Sequence, residues 1–509
     1  MPFWKNPEFV RLVRAELRPA RALTAAVLAL VICGLVGLST WGSTESNHSN
    51  EFFKIFYLWT MGMQFVVLTF WCASACGQAI SREREMKTYD FLKTTRLTTM
   101  ELLVGKVLGV PILAYFTVGC TLPVSVLMGM VANYPLTTIF WTYALLVVLA
   151  LFVSIMSLWA SMLLEGTSAR SIGLLVILPI AFGFDLIDSA FPGLGAISVF
   201  PALLQLYKAN ADMARVTPTL YGRPVSFVFL TLILYAAFGG WFALMLRQNL
   251  KKDIEQIRLL SRWQAIGFAA FLNVLFYAFL NPTKITITGI NFNGRYLTPE
   301  DVSTHAISVN GLVLFIIGIA MLSPQEKLKV WWRRHAADES PYLSEAGPPW
   351  PWLIPAAVIA YALLVAEALG LQGSIAVELW HLRLAALQLL VCLVFVTGDI
   401  LFLQWIILTG MKRPVTKGIL YLVLYYTAAG IFVGVLSNGA PQASSFLLGF
   451  LTPFSVFNTE ATMLGAAQAV VWSGIYAGLV VQVGVILLLL RLLSARLSKP
   501  AIVPVLSEG

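Results

Sequence analysis

Apolar stretches of roughly 20 residues, nearly free of charge, recur along this sequence from end to end. Leu23 to Trp41 is one, and residues 382–409 form another. An α-helix rising about 1.5 Å per residue needs roughly 20 such residues to cross a hydrocarbon layer. Only 12% of the 509 residues are charged, against about 25% in a soluble domain, so the chain cannot cover a water-facing surface. In lipid every backbone polar group must bond internally, and runs this long and continuous do so as helices. The expected fold is therefore an all-α polytopic membrane protein.

The apolar runs predict about 12 transmembrane helices. They lie near 21–41, 55–79, 107–130, 137–164, 169–190, 224–247, 264–281, 306–323, 351–371, 382–409, 415–437 and 466–490. Segments 192–207 and 440–462 are apolar but broken by Gly and Pro, and read as re-entrant outer segments shielded by protein or water. The formal charge of +9 is distributed unevenly: one set of alternate loops, with both termini, holds 27 of the 34 Lys and Arg. By the positive-inside rule that side, with the N- and C-termini, is cytoplasmic; the membrane expected is the bacterial inner membrane. The excess charge is thus a topology signal and implies no nucleic acid. The five cysteines all fall in predicted spans, so neither a disulfide framework nor a metal site is expected, and membrane lipid is the first partner. The basic N-terminal segment and the span-length run after it do not read as a cleavable signal.

The two halves, 1–250 and 251–509, look like a tandem 6+6 repeat. Each opens with an amphipathic stretch suited to an interfacial elbow helix: Phe9, Leu12, Val13 and Leu17 beside Arg11, Arg14 and Arg18, then Leu250, Ile254 and Ile257 among Lys251, Lys252 and Arg258. Two spans, a long charged loop, two spans and a short basic loop follow in each half. A fifth span, an irregular outer segment and a sixth span complete it.

The loop after the second span is the most informative. Its charged start, residues 82–97, places Met86, Tyr89 and Leu92 on one stripe bordered by Arg84, Lys87, Asp90 and Lys93. Thr98-x-x-Glu101 is a capping box, expected to start the third span's helix with Leu102 and Leu103 entering the membrane. Two readings of the charged helix fit equally: docking into a groove on a partner, or lying on lipid headgroups.

Here the sequence resembles the permeases of type-2 ATP-binding-cassette exporters. Their corresponding loop reads approximately I-x-x-E-R-E-x-G-T-L-E-x-L-L-x-T-P-L-S-x-x-E-L-L-x-G-K. Ile80, Glu83, Arg84, Glu85, Thr88, Leu92, Thr95, Leu97, Glu101, Leu102, Leu103, Gly105 and Lys106 match it. Lys87 stands where the pattern has Gly and Arg96 where it has Pro. The resemblance implies a coupling helix seated on a cytoplasmic ATPase subunit, contacted through Glu83, Arg84, Glu85, Tyr89 and Asp90. Glu101 and Lys106 would hold the third span's base, and ATP and Mg would be bound by that partner, with no cofactor in this chain. A second permease copy or an accessory subunit is compatible with the same reading.

The second half has a weaker counterpart at 324–336. Ser323-Pro324-Gln325-Glu326 reads as another capping box, continued by Trp331, Trp332, Arg333 and Arg334. It is either a degenerate coupling helix contacting a partner through Glu326, Trp331 and Arg333, or an interface anchor. No G-x-x-x-x-G-K-[ST] run occurs, so the chain is not expected to be a P-loop enzyme. Asp185 and Asp188 lie near the outer end of the fifth span and read as boundary residues, whereas Asp399 lies deepest, in the tenth, and Glu367 towards the outer part of the ninth. Each of the latter two is either a pathway carboxylate or one satisfied by a neighbouring helix. Gly430-x-x-x-Gly434 and Gly474-x-x-x-Gly478 are expected to allow close helix packing. The reading is an exporter permease for a hydrophobic or amphiphilic substrate, driven by a separate ATPase. The alternatives are an ion-driven secondary transporter and a non-transporting membrane anchor.

Overall fold

The computed structural model describes residues 5–43, 49–163, 198–207, 219–220, 223–252, 260–279, 299–337, 341–345, 347–368, 379–411, 414–437, 439–452 and 466–498. The fifth predicted span, the short loop at 164–170 and most of the second elbow lie outside them. The chain divides into two compact units, Met1–Arg258 with Thr286–Ile290, and Leu259–Ile285 with Asn291–Gly509.

The first unit begins with α1 (Pro7–Glu16), capped by Asn6, whose side chain accepts from the Glu8 N–H at 3.0 Å. The long helix α2 (Pro19–Ser43) follows. Helix α3 (Ser49–Val66) passes through a π-helical turn (Val67–Trp71) into α4 (Cys72–Glu85), so the second span and its charged extension are one continuous rod. Then come α5 (Tyr89–Thr94), α6 (Thr99–Gly109), α7 (Ile112–Val131), α8 (Leu136–Leu163), α9 (Phe200–Tyr207) and α10 (Phe227–Asn249). A two-stranded ribbon, β1 (Thr219–Leu220) with antiparallel β2 (Arg223–Pro224), precedes α10.

Polar side chains join these helices where no water competes. The Gln64 amide of α3 donates to Thr121 and Ser125 of α7, at 3.1 and 3.0 Å. The Tyr207 hydroxyl of α9 meets those of Tyr57 and Thr142, each at 2.8 Å. Bonds of this kind contribute about 0.6 kcal/mol each on average in a bilayer.

The third span differs from expectation. Thr98 starts a helix, but α6 ends at Gly109, and the apolar span begins separately at Ile112. Pro111, with no N–H to donate, sits at the break. Leu102 and Leu103 pack in a protein core with Ile80, Leu158 and Leu246.

The second unit comprises α11 (Arg262–Phe279), α12 (Pro299–Ala320), α13 (Gln325–Ala336), α14 (Leu353–Ala368), α15 (Leu379–Ile407), α16 (Pro414–Ser437), α17 (Pro441–Leu451) and α18 (Ala466–Leu497). Arg262 is buried at the start of α11. Its guanidinium donates to the Met321 carbonyl, the Ser323 hydroxyl (2.8 Å) and the Gly347 carbonyl (2.7 Å). Gln404 of α15 accepts from the Ser323 N–H and donates to its carbonyl, at 3.1 and 2.8 Å. These bonds fix a sharp corner: Val309–Ala320 and Gln325–Ala336 meet at 90°. They also overturn the second capping box. Pro324, which has no side-chain acceptor, occupies the cap position, and Ser323 lies one residue before it with its hydroxyl accepting from Arg262.

Among the described residues, eight helices are long and apolar enough to cross a membrane. They are Pro19–Trp41, Glu51–Glu85, Ile112–Val131, Leu136–Met162, Phe227–Asn249, Ala385–Ile407, Pro414–Ser437 and Trp472–Leu497. The expected span at 351–371 is represented by a shorter apolar helix, Trp350–Ala366, and that at 306–323 by one arm of the bent pair. Gly474 and Gly478 do bring helices together: a Cβ on Gly478 would lie 2.8 Å from the Gly449 carbonyl oxygen of α17. Gly430 and Gly434 have nothing within 4 Å of their Cβ positions.

Candidate functional site

The informative loop folds into a frame with an exposed tip. Helix α4 ends in a Schellman motif. The Thr88 N–H donates to the Glu83 carbonyl and the Lys87 N–H to that of Arg84, both at 3.0 Å. Closing that motif puts Lys87 at φ +56°, in the left-handed region that glycine occupies without cost. The backbone thus makes, with a lysine, the turn for which the resembled pattern has Gly. One turn of helix, α5, follows before Thr98 caps α6. The capping box is complete: Thr98 N–H to Glu101 Oε2 at 2.9 Å and Glu101 N–H to Thr98 Oγ1 at 3.2 Å. The hydrogen bonds from Thr98 hold the Glu101 carboxyl below its ordinary pKa.

Five attachments hold this frame to the unit. Arg84 donates to the Met162 carbonyl at the end of α8 (2.7 Å), with its guanidinium 4.9 Å from the Tyr89 ring centroid. The Tyr89 hydroxyl donates to the Leu250 carbonyl at the end of α10. Lys251 donates to the Thr95 carbonyl at 3.1 Å. Asn6 donates to the Glu101 carbonyl at 2.6 Å.

The fifth is a buried charge cluster joining α1, α4 and α6. Lys106 Nζ, with 1% of its side chain exposed, lies 2.6 Å from both Glu83 carboxylate oxygens and 3.3 Å from Glu8. Arg11 closes the ring, bidentate to Glu8 at 2.8 and 2.9 Å and 3.5 Å from Glu83. Burial pushes the Glu8 carboxyl up, but the Arg11 hydrogen bond and the Lys106 charge outweigh it, and Glu8 titrates below its ordinary range. The same pairing raises Arg11. Gly105 and Gly109 let α1 approach α6. A Cβ on Gly105 would lie 2.8 Å from Glu8 Cβ, and one on Gly109 2.9 Å from Leu12.

The candidate residues therefore divide. Glu83, Arg84 and Glu101 spend their polar groups inside the frame. Tyr89, expected on an outward stripe and at a partner contact, is 3% exposed and packs with Ile80, Leu102 and Leu246. Its ring faces inward because the left-handed turn at Lys87 swings α5 back towards α10. Glu85 and Asp90 remain at the surface. Among the described side chains of the loop the exposed large apolar groups are Met86 (55%), Phe91 (72%) and Met100 (51%), of which the stripe of Met86, Tyr89 and Leu92 singles out only Met86; the Leu92 side chain lies outside the described residues. Glu8 and Arg11 were missed as site residues. Their nearest signal in the sequence was an acid beside the apolar face of the amphipathic helix, three positions before Arg11.

In the second unit Trp331 is buried beside Leu328, against Leu401 of α15, Leu408 just after it, and Leu489, Leu493 and Leu497 of α18. That corrects its expected role as an outward contact: the amphipathic helix turns its indole onto its own unit. Glu326 and Arg333 are exposed. Asp399 accepts from the Tyr426 hydroxyl of α16 at 2.8 Å. Glu367 lies on the last turn of α14, with its side chain outside the described residues. Among the described residues, no group of three or more His, Cys, Asp or Glu is placed to hold a metal ion.

The fold defines the class: the regular elements among the described residues are helices apart from one short two-stranded ribbon, and they are built around multiple membrane-length helices. No family model, curated protein or solved structure matches the chain.

Proposed function

We propose that the chain is the membrane permease of an ATP-binding-cassette exporter, moving a hydrophobic or amphiphilic substrate with ATP and Mg held by a separate cytoplasmic ATPase. The observation that carries this reading is the exposed tip of the loop at 82–97. Phe91 and Met86 project from a frame whose other members are tied into three spans and the N-terminal helix. An exposed aromatic on a rigid mount suits a groove on a protein partner, and a force applied there reaches α4, α8 and α10 through Arg84 and Tyr89. In this reading the chain carries 12 spans as a 6+6 repeat in the bacterial inner membrane, with the loop and both termini cytoplasmic.

The test is affinity purification of the full-length tagged chain from its native membranes. A co-purifying chain with a P-loop sequence is expected with the wild type, with recovery reduced about tenfold or more by Phe91→Asp, an anchor loss of hot-spot size. Recovery of no such chain with the wild type, or equal recovery with the variant, overturns the proposal.

A further inference from the structure

We propose that the outward face of α13 is a docking surface for anionic phospholipid headgroups. The proposal rests on the chain lying in a membrane and not on its coupling to an ATPase. The 90° corner after Ala320 sets α13 across the axis of the helix before it, as a helix lying in the membrane plane must be. Its inward residues, Leu328 and Trp331, pack against the final turns of α15 and α18, which fixes α13 at the level where two membrane-length helices end. Its outward side carries Arg333 and Arg334, both exposed, flanked by Lys329, with Glu326 the one acid on the helix. Among the described residues no carboxylate pairs with either arginine.

The chemistry favours lipid over a protein groove. Val330 is the one large apolar residue exposed on α13, whereas the tip of the first unit's loop presents Met86 and Phe91. The anchors of protein interfaces are well-packed, desolvated side chains, commonly aromatic. Guanidinium groups bind phosphate through paired N–H donors and need no such anchor. Indoles sit at this level too: Trp332 and Trp405 pack on the same cluster, as in the aromatic belt of a membrane interface. The two units are thereby given different tasks at their corresponding loops: one presents an apolar tip to protein, the other a basic face to headgroups.

The test uses the full-length chain reconstituted in nanodiscs of mixed phosphatidylcholine and phosphatidylglycerol, re-extracted gently, with retained lipid quantified by mass spectrometry. Wild type is expected to retain phosphatidylglycerol preferentially, and the triple variant Lys329→Gln, Arg333→Gln, Arg334→Gln to lose that preference by about fivefold or more. The single variants Arg333→Gln and Arg334→Gln should show graded losses, which covers the case in which the triple variant misfolds. Raised salt should weaken the preference, and added inorganic phosphate at equal ionic strength should not displace the lipid. Unchanged phosphatidylglycerol retention in all three variants overturns the proposal. So does a result in which the substitutions release a co-purifying protein and leave lipid retention intact, which would make α13 a protein-docking helix. Loss of ATPase recovery on Phe91→Asp is a separate readout, so either proposal can fail alone.

Discussion

Lys106 holds its charge almost wholly out of solvent because two carboxylates surround it, Glu83 at 2.6 Å and Glu8 at 3.3 Å. Removing one partner of a buried ion pair costs more than the pair itself contributes, since the remaining charge keeps its desolvation penalty. Lys106→Met should therefore destabilise the first unit by about 3–5 kcal/mol, read as loss of monodisperse protein or a lowered melting temperature in detergent. A change below about 1 kcal/mol would show that water reaches the carboxylates. Glu8 gives the cluster a pH dependence of definite sign. Its folded pKa is depressed, so its contribution is present above the unfolded carboxylate value of about 4.3 and is lost as pH falls through the folded value. Wild type should be more stable than Glu8→Gln at neutral pH, and the gap should close in acid; a gap that widens on acidification would contradict the assignment. None of this was visible from spacing. The resemblance implies that Lys106 holds the third span's base, but Lys106 meets Glu83 across 23 positions and Glu8 from a helix nearly a hundred residues earlier.

At the scale of elements, the loop's two helix ends were unequally legible. Thr98-x-x-Glu101 is a purely local device, and the structure forms it as read. The turn at Met86–Lys87 is local too, but the residue there gives the wrong cue. Lysine favours continuing a helix, so the sequence suggested one amphipathic helix with Tyr89 outward, where the chain makes two with Tyr89 inward. What overrides the propensity is tertiary: the Tyr89 hydroxyl reaches the Leu250 carbonyl, 161 residues away. A side chain at positive φ costs roughly 1–2 kcal/mol that glycine does not incur. Lys87→Gly should hence stabilise the chain by about 1 kcal/mol without disturbing the tip, measured as a raised melting temperature. A lowered value would mean that the lysine side chain makes a compensating contact. The neighbouring element is governed by the opposite demand. Gly105→Val puts bulk where Glu8 and the Phe9 backbone already sit, so α1 should be displaced from α6, exposing the segment near Phe9 to protease.

Over the whole molecule, hydropathy identified the membrane character and located most of the long helices, because a 20-residue apolar run has few alternatives. It did less well wherever a helix bends or stops short, since Pro111 and the corner at Ser323 are set by hydrogen bonding and not by apolarity. The distribution of Lys and Arg makes the remaining claim, that of sidedness. Lys87 and Lys329 lie on loops assigned to the basic side, and Lys54 belongs to the side left with few positive charges. Lys87 is exposed at a turn, and Lys329 sits on the crosswise helix α13. In intact cells a membrane-impermeant maleimide should label Lys54→Cys and leave Lys87→Cys and Lys329→Cys unlabelled until the membrane is opened. Native thiols should add little background, because Cys33, Cys72, Cys76 and Cys392 are buried and Cys120 is half-buried. Labelling of Lys87→Cys and Lys329→Cys from opposite sides would mean an odd number of crossings between them, and the 6+6 arrangement would be lost. Labelling of both from outside would instead keep the crossing parity and reverse the topology, putting the Phe91 tip beyond the reach of any cytoplasmic ATPase.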